Sequence, residues 1–440
     1  MKCYICDANI QQYLSFCPSC NSPLVPCSNL ECSKYFSPLA NFCTQCSSFI
    51  GSKIIPQHYA SESTKLEDLL NLDENLPIIV THHLLDGEFN TDPLIALGYL
   101  FIVSESGHIW ILNPKTLEEY KKTEITQLSL TEINASPIAV RYMEKLDDGS
   151  DICRHYLFIA SGEEMLRLSI EYRSKDRPIV LCKPKSLRLD GECLTNPIYL
   201  DGKVIVGTDM GLMAYNIDGE KVWQYENFLP DEIISTQSVG IDNRIIFGTH
   251  SANLFRIHAV NATNGKADWK ETYTFNSDGI RDIHFIQQTE RLIFLDDYGK
   301  LHNIDFHGDK HYSPKSAKIA NRPTATGFSK GNIYAITTSG GIHCLDSFGG
   351  MSRPHRAIGG GRQLFFHSRS AVGKDFIVFV SHNGTLLFIR TERNSSNIMD
   401  IEIIAEALPQ GEIISQPIIS DGCLYILSEN GSLIKMTKNG

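Results

Sequence analysis

The sequence lacks long apolar runs, and its first residues lack the pattern of a secretory signal. No apolar run in the 440 residues reaches the roughly 18 residues that a membrane-spanning helix needs. The first residues, Met1-Lys2-Cys3-Tyr4-Ile5-Cys6, contain no apolar core or cleavage site of the secretory kind. These absences predict a cytoplasmic protein with no membrane contact, in a compartment that keeps thiols reduced.

Positively charged residues are also fewer than negatively charged ones. The chain has 40 Lys and Arg residues against 51 Asp and Glu residues, which gives a formal net charge of −11. Non-specific nucleic-acid binding depends on neutralising phosphates with cationic side chains. In residues 1–50, Lys2 and Lys34 only balance Asp7 and Glu31. Nucleic acid is therefore not the expected partner.

Signatures of catalysis are missing as well. The sequence contains no Gly-x-Ser-x-Gly elbow, no His-Glu-x-x-His pair and no phosphate-binding loop. Asp296 and Asp297 fall where a turn is expected, and His302 and His307 are expected to be solvated or hydrogen-bonded. Scattered cysteines are expected to be small buried residues (Cys153, Cys182, Cys193, Cys344 and Cys423). We expect no enzyme and no catalytic residue.

What the sequence does contain is a set of eight cysteines in its first 46 residues, arranged as two copies of one pattern. In each copy two short cysteine knuckles are separated by ten residues, 7–16 and 33–42. Four thiolates in two knuckles at this spacing are the ligands of a structural zinc ion. We predict two zinc ribbons, at 1–26 and 27–50, that bind one Zn²⁺ each (Cys3, Cys6, Cys17 and Cys20; Cys27, Cys32, Cys43 and Cys46).

A linker is predicted between the cysteine-rich segment and the rest of the chain. Residues 51–75 mix serine and acidic residues with a proline. Thr64-x-x-Glu67 fits a capping box, so a short helix is expected over 64–71.

From residue 76 onwards the chain repeats a strand, a glycine-containing turn and a second strand. The clearest copies are 99–112 and 204–215, and a weaker copy covers 156–169. Short strands and glycine turns with a period in the forties predict a β-propeller over 76–440. The eight hairpins indicate eight blades, or seven if the weaker copy belongs to an insertion (the other turns lie near Asn253, Gly299, Gly340, Gly384 and Gly431).

Two further elements complete the predicted blades. Pro93, Pro137, Pro197 and Pro417 each precede a short apolar run, which is the place where a strand tolerates proline. Residues 76–81 form an extra strand ahead of the first full hairpin. We expect this strand to pair with 433–437, closing the propeller and covering an exposed sheet edge.

The repeat resembles a known family. Residues 202–223, which end in Gly219-Glu-Lys-Val-Trp223, and residues 261–269, which end in Gly265-Lys-Ala-Asp-Trp269, are similar to the repeat of PQQ-like (quinoprotein-type) β-propellers. This resemblance implies an all-β fold in which each indole wedges between neighbouring blades. The first 46 residues resemble the double zinc ribbon family, although Cys27-x4-Cys32 is two residues longer than a standard knuckle. Because the chain has no adjacent cysteine pair, we expect no PQQ cofactor.

One segment stands out by its charge. Residues 347–374 contain no Asp or Glu, but they include five cations. Guanidinium groups suit carboxylates and phosphates. This segment could bind an acidic tail, a nucleotide or another anion, or it could be a solvated loop whose arginines pair with neighbouring blades (Arg353, Arg356, Arg362, Arg369 and Lys374).

Together these features predict a non-enzymatic scaffold that binds proteins within a larger assembly. The resemblance to proteins that join double zinc ribbons to PQQ-like propellers implies a bacterial system with an AAA+ ATPase or a von Willebrand A-type partner. The alternative is recognition of a nucleic acid, nucleotide or other anion through the zinc ribbons or residues 347–374.

Overall fold

The part of the chain that the structure describes consists of strands, turns and loops. The computed structural model describes residues 25–26, 35–36 and 78–438, apart from gaps at 125–132, 134, 147–150, 172–179, 227, 230, 253, 287–288, 309–318, 320–321, 330–331, 347–369, 373–375, 383–385, 391–400, 405–411, 414 and 421–422. No helix occurs in these residues. Consequently none of them forms a helix that could cross a membrane.

Three strands precede the first complete sheet: β1 (Val25–Pro26), β2 (Tyr35–Phe36) and β3 (Ile78–Leu84). β1 and β2 pair antiparallel, with Val25 opposite Phe36. They flank the segment Cys27-x4-Cys32. The eight predicted zinc ligands, like the predicted linker helix over 64–71, lie outside the described residues. The two zinc ribbons therefore stay a prediction.

The chain divides into two compact units, the first formed by Met1–Tyr59 and Thr91–Cys193. This unit contains two four-stranded antiparallel sheets, each with its strands in chain order. The strands are β4 (Leu94–Ala96), β5 (Tyr99–Val103), β6 (His108–Leu112) and β7 (Glu119–Glu124), then β8 (Ile138–Lys145), β9 (Asp151–Ser161), β10 (Glu164–Glu171) and β11 (Val180–Arg188).

The weaker repeat forms the centre of the second of these sheets. Ser161 at the end of β9 lies opposite Glu164 at the start of β10, so the turn falls at Gly162 and Glu163. β8 and β11 pair on either side. The weaker copy is thus part of a four-stranded sheet like its neighbour.

The second unit consists of Ala60–Asn90 and Leu194–Gly440. Six sheets of three to five described strands lie in it, and all their pairings are antiparallel. The first three sheets contain β12 (Ile198–Leu200), β13 (Lys203–Thr208), β14 (Gly211–Tyr215) and β15 (Lys221–Tyr225); β16 (Ile233–Ile234), β17 (Val239–Ile241), β18 (Arg244–Ser251), β19 (Leu254–Asn261) and β20 (Tyr273–Asn276); and β21 (His284–Ile286), β22 (Arg291–Leu295) and β23 (Leu301–Asp305).

The other three sheets of this unit come next along the chain. They contain β24 (Pro323–Ser329), β25 (Asn332–Thr337) and β26 (Ile342–Asp346); β27 (Ala371–Val372), β28 (Phe376–Val380), β29 (Leu386–Arg390) and β30 (Ile401–Ile404); and β31 (Ile418–Ser420), β32 (Cys423–Leu427) and β33 (Ser432–Lys438). β3 joins the last of these sheets beside β33, with Ile79 opposite Thr437. The strand predicted at 76–81 is thus observed as β3, and it pairs with β33, the last strand of the described chain.

Several local predictions agree with the strands. β4, β8, β12 and β31 each begin directly after one of the four prolines, as the sequence predicted. β5 and β14 are buried along their whole length. A strand buried on both faces loses the alternation of apolar and polar residues, because a neighbouring sheet covers each face. The scattered cysteines form no disulfide and are buried, except for the half-buried Cys182.

Two tryptophans connect neighbouring sheets of the second unit, as the resemblance implied. The indole of Trp223 donates a hydrogen bond to the carbonyl of Ala262, at 2.9 Å, and lies against Gly265. Trp269 repeats this arrangement one sheet later with the carbonyl of Phe306, also at 2.9 Å, and with Gly308. Each indole fills the space above a glycine turn, where a side chain would collide with it.

Candidate functional site

Neither set of predicted site residues falls within the described structure. The eight cysteines of the N-terminal segment and the five cations of residues 347–374 lie outside it. In the described part of the chain, no group of three or more His, Cys, Asp or Glu side chains is arranged to hold a metal ion. The described residues instead present a different candidate site in the second unit, which the sequence analysis did not predict.

This site is a patch of exposed apolar side chains where β13, β15 and β18 end. Met210 lies in the turn between β13 and β14, Leu229 lies in the connection from β15 to β16, and Ile233 is the first residue of β16. Their exposed fractions are 61%, 43% and 52%. We call these three residues the apolar patch. Large apolar side chains grouped on a surface commonly mark an interaction site.

Close contacts bring the two segments of the patch together. The side-chain amide of Gln224 donates a hydrogen bond to the carbonyl of Met210, at 3.1 Å. The ring of Phe228 packs against Gly211, where an added Cβ would lie 3.0 Å from the ring. Ile233 is paired with His250 near the end of β18. The turn that carries Met210 therefore lies against the start of the connection that carries Leu229.

A single buried carboxylate, that of Glu232, fixes this connection. It accepts hydrogen bonds from the amide of Leu229, at 2.5 Å, and from the hydroxyl of Thr249. The guanidinium of Arg256 lies 2.6 Å away, and the imidazole of His258 lies 3.4 Å away. The Glu232 side chain is only 1% exposed. A charge so far from water is tolerated because it is paired and hydrogen-bonded.

These contacts determine the charge state of Glu232. Burial by itself raises the pKa of the carboxyl group. Hydrogen bonds from His258, Thr249 and the Leu229 amide outweigh that effect and lower the pKa to about 2. Glu232 is therefore ionised at neutral pH and holds Arg256 in place.

His258 connects the carboxylate network to the preceding sheet. Its ring stacks on Phe247, with centroids 5.0 Å apart, and its Nδ1 lies 3.1 Å from the hydroxyl of Tyr225 on β15. Nε2 lies 2.8 Å from the hydroxyl of Thr249. Burial lowers the pKa of His258, which keeps the imidazole neutral. Since the side chain is fully buried, its role is to position its neighbours.

The next sheet contains a second histidine in the same kind of setting. His302 stacks on Phe294, with centroids 4.9 Å apart, and contacts the hydroxyl of Tyr273 on β20 at 2.9 Å. Its Nε2 lies 2.9 Å from a carboxylate oxygen of Asp296. His302 is thus hydrogen-bonded, which is one of the two states that the sequence led us to expect; the other was a solvated side chain. Because the Tyr–His contact recurs, we interpret it as a structural link between adjacent sheets.

Asp297, the other half of the predicted turn, is buried and has two cationic neighbours. Its oxygens lie 3.0 Å from Arg281 and 2.5 Å from Arg322. The Asp296-Asp297 pair does lie in a turn, as expected, but both side chains are buried and stabilise contacts between strands. Neither acts as an exposed turn residue.

A small pocket of about 280 Å³ opens beside Arg256. The guanidinium of Arg256 is already engaged by Glu232 and by the hydroxyl of Thr272, at 3.1–3.2 Å. Lys270 and Glu271 in its wall have opposite charges, so the lining has little net charge. The pocket is lined by Tyr225, Arg256, Ala259, Ala267, Trp269, Lys270, Glu271 and Thr272.

The sequence contains a weak signal for the apolar patch. Residues 226–234 contain three acidic residues, Glu226, Asp231 and Glu232, together with several apolar ones. That pattern alone does not tell which carboxylate is buried, because Asp231 and Glu232 are adjacent. Only the positions of Thr249, Arg256 and His258 distinguish them.

Comparisons with known proteins agree with the repeat fold. Residues 186–399 match a protein-family model described as outer membrane protein assembly factor BamB. A curated protein of that name from Shewanella oneidensis is 26% identical over 260 residues, which cover 56% of this chain and 62% of the relative. The chain thus spans less than two thirds of this relative's length.

Solved structures show the same likeness. BamB from Moraxella catarrhalis superposes with a TM-score of 0.56 at 15% identity, covering 82% of this chain and 99% of that one. The computationally designed Ika8 protein gives a TM-score of 0.56 at 11% identity, covering 81% and 98%. The chain therefore contains a BamB-like repeat domain, with an all-β fold that resembles the BamB β-propeller.

Proposed function

We propose that this protein is a non-enzymatic scaffold that holds a protein partner on the apolar patch. The observation that carries the proposal is the combination of exposed Met210, Leu229 and Ile233 with the buried Glu232 that fixes their connection. A surface that is already ordered loses little conformational entropy on binding. Burial of its apolar side chains in a complementary pocket would supply the binding free energy.

The BamB-like repeat is consistent with this function. Repeat folds of this kind often serve as protein-interaction scaffolds, and the curated relative is named an assembly factor for outer membrane proteins. For this chain we propose a partner protein within a larger assembly, with an AAA+ ATPase or a von Willebrand A-type protein as the candidates that the resemblance implied.

The proposal also covers the propeller, the zinc ribbons and the cellular location of the protein. We propose that the eight sheets form the blades of one propeller, which the pairing of β3 with β33 closes. Two zinc ribbons would precede it and provide a second compact domain. We propose a cytoplasmic location because paired cysteine knuckles keep their thiolates for zinc only where disulfides do not form. The name of the curated relative instead concerns outer membrane proteins.

The recognition of an anion through residues 347–374 stays a separate prediction. It rests on the run of cations without an acidic residue in a chain of net charge −11. Binding of this kind would weaken steeply as the salt concentration rises. Binding to the apolar patch would not, unless its partner is strongly charged.

A triple substitution, Met210→Ser, Leu229→Ser and Ile233→Ser, tests the proposed function. Tagged full-length protein is used to isolate partners from the native host after cross-linking, and the partner identified is then purified and its affinity measured by calorimetry. We expect the substitutions to weaken binding at least tenfold. The melting temperature should change little, because exposed side chains contribute little to folding.

Val222→Ser is the matched control. Val222 is 46% exposed on β15, an apolar residue outside the patch. This variant should bind the partner as tightly as the unaltered protein. Equal affinity of the partner for the patch variant and the control would refute the proposal.

A further inference from the structure

We propose that Cys153 is a thiol that hydrogen peroxide oxidises to sulfenic acid. This modification site is independent of the proposed function, because Cys153 lies on β9 in the first unit. The side chains of Arg141 and His155 both contact its sulfur. A cation and an imidazole beside a thiol are the groups that make the sulfur a nucleophile.

The pairing of β8 with β9 brings the three side chains together. Alternate residues of a strand point to the same face of the sheet, so Cys153 and His155 are neighbours on one face of β9. β8 pairs antiparallel with β9, with Arg141 opposite His155 and Met143 opposite Cys153. Arg141 is therefore the diagonal neighbour of Cys153, at a separation that a long side chain can span.

Arg141 gives the sulfur a cationic hydrogen-bond donor. Its Nε donates a hydrogen bond to Sγ of Cys153 at 3.0 Å. A guanidinium group is charged throughout the physiological range of pH, so this contact stabilises negative charge on the sulfur. The thiolate, and not the thiol, is the form of cysteine that attacks electrophiles.

His155 provides a place for the thiol proton. Its Nε2 lies 3.8 Å from Sγ of Cys153, and the residue is only 3% exposed. In the proposed step the imidazole takes the thiol proton, and the thiolate attacks one oxygen of the peroxide. An S–O bond forms as the O–O bond breaks, and the leaving hydroxide takes the proton from the imidazole. The sulfur loses two electrons, the peroxide gains them, and the products are sulfenic acid and water.

The burial of Cys153 favours a small oxidant. The residue is 8% exposed, which leaves little room beside the sulfur. Hydrogen peroxide has two heavy atoms and no charge, so it fits where larger oxidants do not. Oxidation of a cysteine depends on the thiolate character of its sulfur as well as on access. The contacts with Arg141 and His155 provide the first of these conditions.

Two other free cysteines separate the effect of access from that of charge. Cys182 is half-buried and thus more accessible than Cys153, but its thiol donates a hydrogen bond to the carbonyl of Ser169 at 3.7 Å. This hydrogen bond favours the protonated sulfur. Cys423 is 8% exposed, like Cys153, and it lies opposite the uncharged Thr437. Both therefore serve as internal controls.

Trapping of the sulfenic acid tests the inference. The folded full-length protein is treated with hydrogen peroxide at neutral pH in the presence of dimedone, which forms a stable thioether with sulfenic acid. Peptide mass spectrometry then gives a separate labelling rate for each cysteine. We expect Cys153 to be labelled about tenfold faster than Cys182 and Cys423. The three rates should become similar in guanidinium chloride, where the fold is lost.

Two variants of equal charge change test the role of Arg141. Arg141→Gln should lower the labelling rate of Cys153 about tenfold, because the sulfur loses its cationic donor. Arg154→Gln is the matched control. Arg154 follows Cys153 directly in the chain, but it points to the other face of the sheet and pairs with Glu144 at 2.8 Å. In this variant Cys153 should be labelled as fast as in the unaltered protein.

Each result supports or overturns the inference. Labelling of Cys153 that is no faster than that of Cys182 and Cys423 in the folded protein, or no labelling of Cys153, would overturn it. An undiminished rate in folded Arg141→Gln would do the same. If the melting temperature shows that Arg141→Gln does not fold, the comparison of the three cysteines in the unaltered protein decides.

Discussion

Glu232 is the residue on which the candidate site depends. Its carboxylate joins the connection from β15 to β16 with β18 and β19, through partners that lie 17, 24 and 26 residues along the chain. Removing one member of a buried ion pair is costly because the other charge remains without a partner. The exposed patch therefore relies on a buried charge for its position.

Replacing Glu232 with Gln should destabilise the fold by about 3 kcal/mol, since Arg256 would keep a buried charge without its carboxylate. Urea denaturation followed by fluorescence measures this loss. Glu226→Gln is the control: Glu226 is an exposed residue of the same connection, and its substitution should change the free energy of unfolding by less than about 0.5 kcal/mol. Equal effects of the two substitutions would contradict the network.

The contribution of Glu232 should depend on pH in a defined direction. The pKa of its carboxyl group is about 2 in the folded protein and near the ordinary value of 4.5 in the unfolded chain. As the pH falls below 4.5 the unfolded chain binds the proton first, so stability is lost from there towards pH 2. The difference in free energy of unfolding between the unaltered protein and Glu232→Gln should be constant above pH 5 and should shrink towards pH 2. A difference independent of pH over this range would argue against an ionised, buried Glu232.

His258 should add a dependence at higher pH. Its pKa in the folded protein lies below the ordinary value of 6.5, mainly because it is buried. The unfolded chain therefore takes up this proton first as the pH falls below 6.5, and stability declines with it. Both groups thus act in the same direction, but over different ranges of pH.

At the scale of elements, the tryptophan contacts connect neighbouring sheets of the second unit. Trp223 and Trp269 each donate a hydrogen bond to a carbonyl of the next sheet and cover a glycine in the turn beyond it. Gly265 and Gly308 have φ values of 69° and 79°. Both the backbone conformation and the close approach of the ring require glycine.

Gly265→Ala and Gly308→Ala should each lower stability by about 2–4 kcal/mol, because the new Cβ would lie 2.6 Å from indole atoms. Gly202→Ala is the matched control. Gly202 has a φ of 75°, but nothing lies within 4 Å of an added Cβ. It should cost only the left-handed conformation, about 1–2 kcal/mol. Thermal unfolding distinguishes the two effects, and similar losses at all three positions would mean that the indole contact contributes little.

At the scale of the whole molecule, the sequence predicts two domains with different sources of stability. The sheets bury apolar side chains between them, as in the cluster that contains Phe247, Trp223 and Leu212. A segment as short as residues 1–50 cannot bury a comparable core. If it folds as two ribbons, metal binding must supply most of its folding free energy.

Metal analysis of the purified protein should therefore return two zinc ions per chain. Replacing Cys17 and Cys20 with Ser should remove one of them, and replacing Cys43 and Cys46 should remove the other. The thermal unfolding of the sheets should be unaffected in both variants, provided that the ribbons fold separately. A zinc content well below two, or the loss of both ions from either variant, would contradict the two independent sites.

The hairpins could be predicted from the sequence because the residues that determine them lie close together in the chain. Two apolar runs and a glycine turn lie within about 15 residues of one another, so the pattern predicts a paired unit without knowledge of the rest of the chain. The inner strands that follow Pro137 and Pro197 could be found for the same reason. The spacing of the cysteines is also local, and it predicts two zinc sites, which lie outside the described residues.

The candidate site could not be predicted from the sequence, because the residues that form it are distant in the chain and only packing brings them together. The sequence by itself determined the repeated strands and the acidic character of the connection 226–234. Only the tertiary structure decided that Glu232 is buried and Asp231 exposed, and that the turn at Met210 lies against Gln224 and Phe228. Burial of a charge is favourable only where cations and hydrogen-bond donors converge on it, and the folding of separate strands brings Thr249, Arg256 and His258 together at Glu232.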